Sequence, residues 1–169
     1  MNPTTRLTTS IRRWLLFFII ALAFSGITAF AVESELAWLI RIWPLGKGLL
    51  SSWLLHVYNA VQATNAQYPF ISYGSDWLAF AHLVIAIAFI GPLRDPVRNK
   101  WIIRFGQIAC LAIFPLAFIA GPIRHIPLFW QLIDCSFGAI GLIPLAICYH
   151  KINQLEKLTL KPQNSFQPA

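Results

Sequence analysis

Four stretches of this sequence are long and apolar enough to cross a lipid bilayer as helices. They cover residues 14–32, 77–93, 101–122 and 128–149. A helix advances about 1.5 Å per residue, so about 20 apolar residues cover the roughly 30 Å of hydrocarbon. A soluble domain of 169 residues could not bury four such stretches in one core. The sequence therefore predicts an all-α integral membrane protein, a bundle of four antiparallel transmembrane helices in a lipid bilayer.

The charged residues are few, 11% of the chain against 57% hydrophobic, and they are unevenly distributed. Ten of the thirteen Lys and Arg residues fall before the first stretch, between the second and third, or after the fourth; the other three are Arg41, Lys47 and Arg124. Because cytoplasmic loops are enriched in Lys and Arg, this asymmetry predicts that both termini are cytoplasmic. The net charge of +7 thus marks orientation, and no nucleic-acid partner is expected. The absence of Asn-x-Ser/Thr acceptor sites fits a bacterial inner membrane.

The first stretch has a second interpretation. Arg12 and Arg13, the apolar run that follows them and Ala29-Phe30-Ala31 also fit a signal peptide cleaved after Ala31. The apolar run continues unbroken to Val32 and has no polar region before the cleavage point, which favours a retained helix. Cleavage would leave three spans and an external N-terminus.

Three regions follow from this pattern: a polar leader (1–10), a four-helix transmembrane domain (11–150) and a polar cytoplasmic tail (151–169) that is expected to fray. Residues 33–76 form the longest loop, on the outer face, and it is rich in aromatic residues. Within this loop, apolar residues recur at helical spacing and predict an amphipathic interfacial helix; they are Leu49, Leu50, Trp53, Leu54, Val57 and Val61. The loop is either a lid over the outer ends of the spans or a connector resting on lipid.

The second and third stretches end in the same pattern, Gly91-Pro92-Leu93-Arg94 and Gly121-Pro122-Ile123-Arg124. Glycine is common just after a helix, and proline cannot donate the next helical hydrogen bond. Both patterns are therefore predicted to stop their helices at the Gly-Pro pair.

Polar groups inside the apolar stretches collect toward the outer face. An ionisable residue at the centre of a span costs about 2.5–3.5 kcal/mol, so its presence needs a reason. Asp134 lies roughly 9 Å and His82 about 8 Å below the outer ends of their stretches, counted at the helical rise. Ser25, Thr28 and Gln131 also fall in the outer third. The fourth stretch carries Gly138 and Gly141 on the same face as Asp134, and such small residues let a neighbouring helix approach closely.

These residues form the predicted site. Asp134 and His82 are the candidate catalytic residues, a proton acceptor and donor pair if the second and fourth helices meet. The predicted ligand-binding residues are Arg124 at the rim, Gln131, Ser25 and Thr28 in the spans, and Trp53 and Tyr73 in the outer loop. The structural alternative is that Asp134 and Arg124 form an ion pair that holds the fold, and that His82 bonds a backbone carbonyl.

No cofactor or metal is predicted. The four histidines do not place two imidazoles at one level on facing spans, as haem would require, and no group of ligands shows metal spacing. Cys110, Cys135 and Cys148 all fall in apolar stretches without a CxxC pair, so they are expected to act as small buried hydrophobes.

Two functions are compatible with these features. In the first, the protein binds, transports or modifies a small amphiphile in a polar pocket that opens to the outer leaflet. In the second, it is a non-catalytic accessory or assembly subunit with a membrane-protein partner or a second copy of itself, and its polar groups fix helix register. A void beside Asp134 favours the first function, whereas a tightly packed site favours the second.

Overall fold

The computed structural model describes residues 2–42 and 48–160. These ranges contain helices and turns and no strand, which confirms the all-α prediction. The helices are α1 (Pro3–Phe30), α2 (Val32–Ile42), α3 (Leu49–Gln67), a 3-10 turn (Pro69–Ile71), α4 (Tyr73–Ala88), α5 (Ile90–Arg94), α6 (Lys100–Ile123) and α7 (Leu128–Leu160). Lys47 and the tail residues 161–169 lie outside the described residues.

Four helical segments are long and apolar enough to cross a membrane, as predicted. They are Pro3–Phe30, Pro69–Arg94, Lys100–Ile123 and Leu128–Thr159. The outer loop also contains the expected helix, α3, and a second helix, α2, precedes it.

The first and last of these helices extend beyond their apolar stretches. α1 begins at Pro3, where proline is favoured because the first helical N–H has no intrahelical acceptor. Its threonines are accommodated, and the Thr8 hydroxyl donates to the Thr4 carbonyl at 3.0 Å. α7 continues through the polar segment that was expected to fray, because Ile152 and Leu155 extend its buried face past the apolar stretch.

Both Gly-Pro pairs lie inside their helices rather than just after them. Pro92 lies inside α5, and the break falls earlier, at Phe89, because the Pro92 ring is incompatible with a helical bond to the carbonyl of Ala88. α6 likewise runs past Pro122 to Ile123. It ends in a motif that places His125, not a glycine, in the left-handed region (φ 56°).

Two hydrogen bonds close that motif. The Ile126 N–H donates to the Gly121 carbonyl at 2.9 Å, and the His125 N–H donates to the Pro122 carbonyl at 3.1 Å. This pattern reverses the chain within a few residues, so α6 and α7 pack side by side in opposite directions as a helical hairpin.

The described chain divides into two compact units. The first contains Met1–Ile20 and Ile87–Ala169, and the second contains Ala21–Ala86. In the first unit the start of α1 packs on α7: the Cys148 thiol lies 3.7 Å from the Ile11 carbonyl, and Lys151 donates to the Ser10 hydroxyl. Its most buried side chains are Ile11, Leu15, Phe89, Ile103, Leu145, Cys148 and Ile152.

Glycines set the closest approaches between helices. In the hairpin, Gly138 lies against the Cys110 carbonyl and Gly141 against the Cys110 sulfur, which confirms the predicted small-residue face. In the second unit, Gly26 of α1 lies against Ala79 and His82 of α4. A Cβ at residue 138 would meet backbone and require a shift of the helices, whereas a Cβ at residue 141 would press on the Cys110 side chain.

A cluster of charged residues lies at the end of the hairpin opposite the turn. Lys100 pairs with Glu156 at 2.7 Å, and this is the one ion pair within 4 Å among residues 2–42 and 48–160. The Lys100 ammonium and the Arg104 guanidinium each lie 5.4 Å from the centre of the Tyr149 ring. These contacts tie the start of α6 to the end of α7.

Candidate functional site

A pocket of about 280 Å³ opens at the turn end of the α6–α7 hairpin. We call it the hairpin pocket, and its lining is Ile113, Leu116, Ala117, Ala120, Gly121, Arg124, Ile126, Gln131 and Asp134. Apart from Ile126 in the turn, the apolar residues come from α6, whereas Gln131 and Asp134 are three residues apart on α7 and therefore share a face. Three of the predicted site residues, Arg124, Gln131 and Asp134, thus meet at one void.

Gln131 is held in place by the turn. It is the one polar side chain buried among the described residues, with 5% of its surface exposed. Its Nε2 donates to the Ile126 carbonyl at 2.7 Å, and Gly121 leaves the space that its side-chain carbons occupy. Gln131 therefore connects the first turn of α7 to the loop before it, and it forms a fixed wall of the pocket.

Arg124 and Asp134 carry opposite charges on the same pocket and do not pair. Arg124 is exposed at the C-terminal end of α6, and Asp134 is half-buried in α7. Neither side chain has an ion-pair or hydrogen-bond partner in the described ranges, so the alternative of a fold-holding pair between them is not formed. A half-buried carboxylate without a partner is costly, and a ligand donor or a cation would lower that cost.

His82 belongs to the second unit, and Asp134 to the first. The His82 ring is half-buried, and its Nδ1 lies 2.7 Å from the Leu78 carbonyl, so the expected carbonyl bond is formed. Because a carbonyl oxygen only accepts, Nδ1 is the donor in this bond. Since each unit is described by itself, the pairing of His82 with Asp134 stays a prediction.

The two hydroxyl residues of the first span that were predicted to bind a ligand are Ser25 and Thr28. The Thr28 hydroxyl donates to the Ser25 carbonyl at 3.1 Å, within its own helix, and the Ser25 side chain is exposed. A threonine bonded in this way is a common device for satisfying a hydroxyl in a helix. Thr28 therefore needs no ligand to satisfy its donor.

The two predicted aromatic residues lie in the second unit. Trp53 is half-buried on α3, with its ring stacked at 5.7 Å on that of His56. Tyr73 begins α4 and packs edge-on against Trp77 at 6.0 Å. It borders an open groove of about 280 Å³ lined by Phe30, Tyr73, Asp76, Trp77 and Phe80.

A polar pocket of about 210 Å³ in the second unit was not predicted. Its polar lining comprises Glu33, Ser34, Asn65, Ser72, Ser75 and Asp76. The Asn65 amide donates to Glu33, and the Ser72 hydroxyl donates to Asn65. A signal was present in the sequence, because Glu33 and Asp76 are the two acids that bound the outer loop.

The structure also places the residues with metal-binding or redox chemistry. No group of three or more His, Cys, Asp or Glu side chains in the described part of the chain lies close enough to hold a metal ion. Cys110, Cys135 and Cys148 are free and buried, in agreement with the predicted hydrophobic role. The polar chemistry of the first unit is therefore carried by the hairpin pocket and by the basic end of its helices.

Comparison with known proteins found no matching protein family, no similar curated protein and no similar solved structure.

Proposed function

We propose that this chain is a polytopic membrane protein whose hairpin pocket binds a small amphiphile. The ligand presents an anionic group to Arg124 and a hydrogen-bond donor or cation to Asp134. Its apolar part lies along the α6 face that includes Leu116. The observation that carries the proposal is that these two opposite charges line one void without contacting each other.

Membrane insertion is the first part of this proposal. Four helical segments have the length and hydropathy to span a bilayer, and they expose many large apolar side chains, as a lipid-facing surface does. In the first unit, Lys100 and Lys151 lie at the opposite end of the hairpin from Arg124; α6 is 24 residues long, or about 36 Å at the helical rise. The positive-inside rule then places both termini in the cytoplasm, and the hairpin pocket at the outer leaflet, of a bacterial inner membrane.

The chemistry of the pocket defines the ligand class. A guanidinium binds phosphate or carboxylate in a bidentate manner. A carboxylate accepts hydrogen bonds from a hydroxyl or an ammonium group. A volume of about 280 Å³ accommodates the polar end and the first part of an apolar tail rather than a whole phospholipid. Asp134, with His82, remains our candidate for proton transfer if the bound molecule is also modified.

The alternative function is an accessory or assembly subunit without its own ligand. Gln131 favours it, because this buried amide is satisfied within the chain and fixes the geometry of the turn. In that case the hairpin pocket would be covered by a partner subunit or by a second copy of the chain. The two functions differ in what purifies with the protein.

Native mass spectrometry with extraction of bound small molecules, on protein purified in a mild detergent, tests the binding proposal. We expect a specific small molecule bound to the wild type and lost in Asp134→Asn and Arg124→Gln. Asp76→Asn and Arg41→Gln are matched controls, since they make the same charge changes outside the hairpin pocket, and they should retain it. A molecule lost only in Asp76→Asn would move the site to the pocket of the second unit. A reproducible protein partner with no bound molecule would favour the accessory function.

Topology has a separate test. Fusions at the C-terminus should give a fluorescent cytoplasmic reporter and an inactive periplasmic phosphatase. The intact mass of the purified protein shows whether the first span is retained or cleaved, because cleavage after Ala31 would remove 31 residues. An active phosphatase at the C-terminus would contradict the proposed orientation.

A further inference from the structure

A second pocket of the first unit lies at its basic end and has no role in the function proposed above. Its volume is about 530 Å³, and it is lined by Thr9, Arg12, Arg13, Leu16, Leu93 and Arg94. We call it the arginine pocket. The lining residues from α1 start at Thr9 and follow it at the third, fourth and seventh positions, so they form one stripe along the helix. This stripe faces Leu93 and Arg94 at the C-terminal end of α5.

The arginines of this pocket have no ion-pair partner in the part of the chain that the structure describes. No carboxylate lies within 4 Å of Arg12, Arg13 or Arg94 in the described ranges. The nearest acid in sequence, Asp95, accepts a hydrogen bond from the Arg98 backbone N–H at 3.0 Å and caps the loop instead. Three guanidinium groups around one void repel each other, and an anion between them would remove that repulsion.

The pocket is amphipathic as well as basic. Leu16 is 49% exposed and lies one helical turn after the arginines, toward the C-terminal end of α1. Leu93 adds a second apolar side chain to the lining. The Thr9 hydroxyl lies on the other side of the arginines, toward the start of the helix. Polar, basic and apolar groups therefore follow one another along the helix axis, in the order that a phospholipid presents to a membrane protein.

We propose that the arginine pocket binds an anionic phospholipid of the cytoplasmic leaflet, with a headgroup that carries two phosphates. Three guanidiniums match two phosphate groups better than one, because each guanidinium binds a phosphate in a bidentate manner. The acyl chain lies against Leu16 and Leu93. This site rests on the membrane insertion and orientation proposed above, but its ligand is independent of the ligand of the hairpin pocket.

The affinity for lipid is measured by native mass spectrometry of the full chain in non-ionic detergent. The probes are a diphosphatidylglycerol, a phosphatidylglycerol, a phosphatidylcholine and inorganic phosphate. We expect the diphosphatidylglycerol to bind most tightly and phosphatidylcholine least. If inorganic phosphate competes fully at the same concentration as the lipid, the site binds a free anion and the lipid assignment is overturned.

The triple variant Arg12→Gln, Arg13→Gln, Arg94→Gln tests the residues. Each basic residue near an anionic headgroup contributes about fivefold, so the affinity should fall on the order of 100-fold. The control removes the same number of charges from exposed positions outside the pocket, with Arg6→Gln, Arg98→Gln and Lys157→Gln. An equal loss in both variants would show general surface attraction and contradict a defined site.

A charge-preserving variant covers the case in which the triple variant fails to insert, since these arginines also help to set topology. Leu16→Trp fills the pocket without changing any charge, and Ile20→Trp makes a comparable change at another exposed position of α1 that does not line it. We expect weaker diphosphatidylglycerol binding in Leu16→Trp only. Unchanged binding in Leu16→Trp would overturn the proposal, because the acyl chain could not then lie where we place it.

Discussion

The closest backbone approach in the α6–α7 hairpin gives a quantitative prediction for Gly138→Ala. A Cβ at residue 138 would lie 2.6 Å from the Cys110 carbonyl oxygen, whereas ordinary contact begins at 3.4 Å. The obstacle is backbone, so the two helices would have to separate by about 0.8 Å. Overpacking of this kind costs about 1–3 kcal/mol, and alanine regains up to about 1 kcal/mol of helix propensity. We expect a net loss of stability on the order of 1–2 kcal/mol.

The assay is unfolding in mixed micelles of a mild detergent and dodecyl sulfate, followed by tryptophan fluorescence. Gly74→Ala is the control, because a Cβ there meets nothing within 4 Å, and it should leave stability unchanged or slightly increased. Gly106→Ala should cost less than Gly138→Ala, since its closest neighbours are the ends of the Phe89 and Leu145 side chains.

A second substitution separates backbone from side-chain obstruction. A Cβ at residue 141 would lie 3.1 Å from the Cys110 sulfur, so Cys110→Ala should restore the stability lost in Gly141→Ala. The same substitution should not rescue Gly138→Ala, whose obstacle is the Cys110 carbonyl oxygen. Wild-type stability of Gly138→Ala, or its full rescue by Cys110→Ala, would refute this description of the hairpin.

Three other substitutions test separate contacts. Gln131→Leu should lower the free energy of unfolding by about 1–3 kcal/mol, because the Ile126 carbonyl loses its donor; an unchanged midpoint in the same assay would contradict that role. Cys148, with none of its surface exposed, should react with a maleimide only after unfolding, whereas Gln154→Cys, at an exposed position of α7 beyond the apolar stretch, should react in the folded protein, as mass spectrometry can measure. Glu156→Gln should cost no more than about 1 kcal/mol, since its ion pair is partly exposed; a larger loss would show that the pair is more strongly coupled than its exposure indicates.

The sequence predicted helix ends best where the apolar stretch and the helix have the same limits. α6 was predicted within one residue at each end, and α7 began at the predicted residue. The ends of α1 and α7 were missed because hydropathy measures the preference for lipid, whereas a helix continues as long as its backbone bonds and buried face do. Ile11 and Ile152 are the buried residues that continue those faces into the polar segments.

The candidate site was predicted in part for a similar reason. Gln131 and Asp134 share a face of one helix, and Arg124 follows within a short turn, so local spacing brings them together. Glu33 and Asn65 are 32 residues apart, and their hydrogen bond depends on how α2 and α3 pack. Periodicity carries no information about such a contact.

The length of α7 has a mechanical consequence. Its 33 residues extend about 50 Å, and a helix of that length would have to tilt by more than 50° to fit within about 30 Å of hydrocarbon, beyond the 0–40° seen for membrane helices. If α7 crosses a bilayer as we propose, part of it must therefore lie beyond the hydrocarbon. The hydrogen bond from Lys151 to the Ser10 hydroxyl ties this part of α7 to the start of α1, so the two helices support each other there. In the proposed orientation the last turns of α7 would then be held on the cytoplasmic side by the start of α1 rather than by lipid.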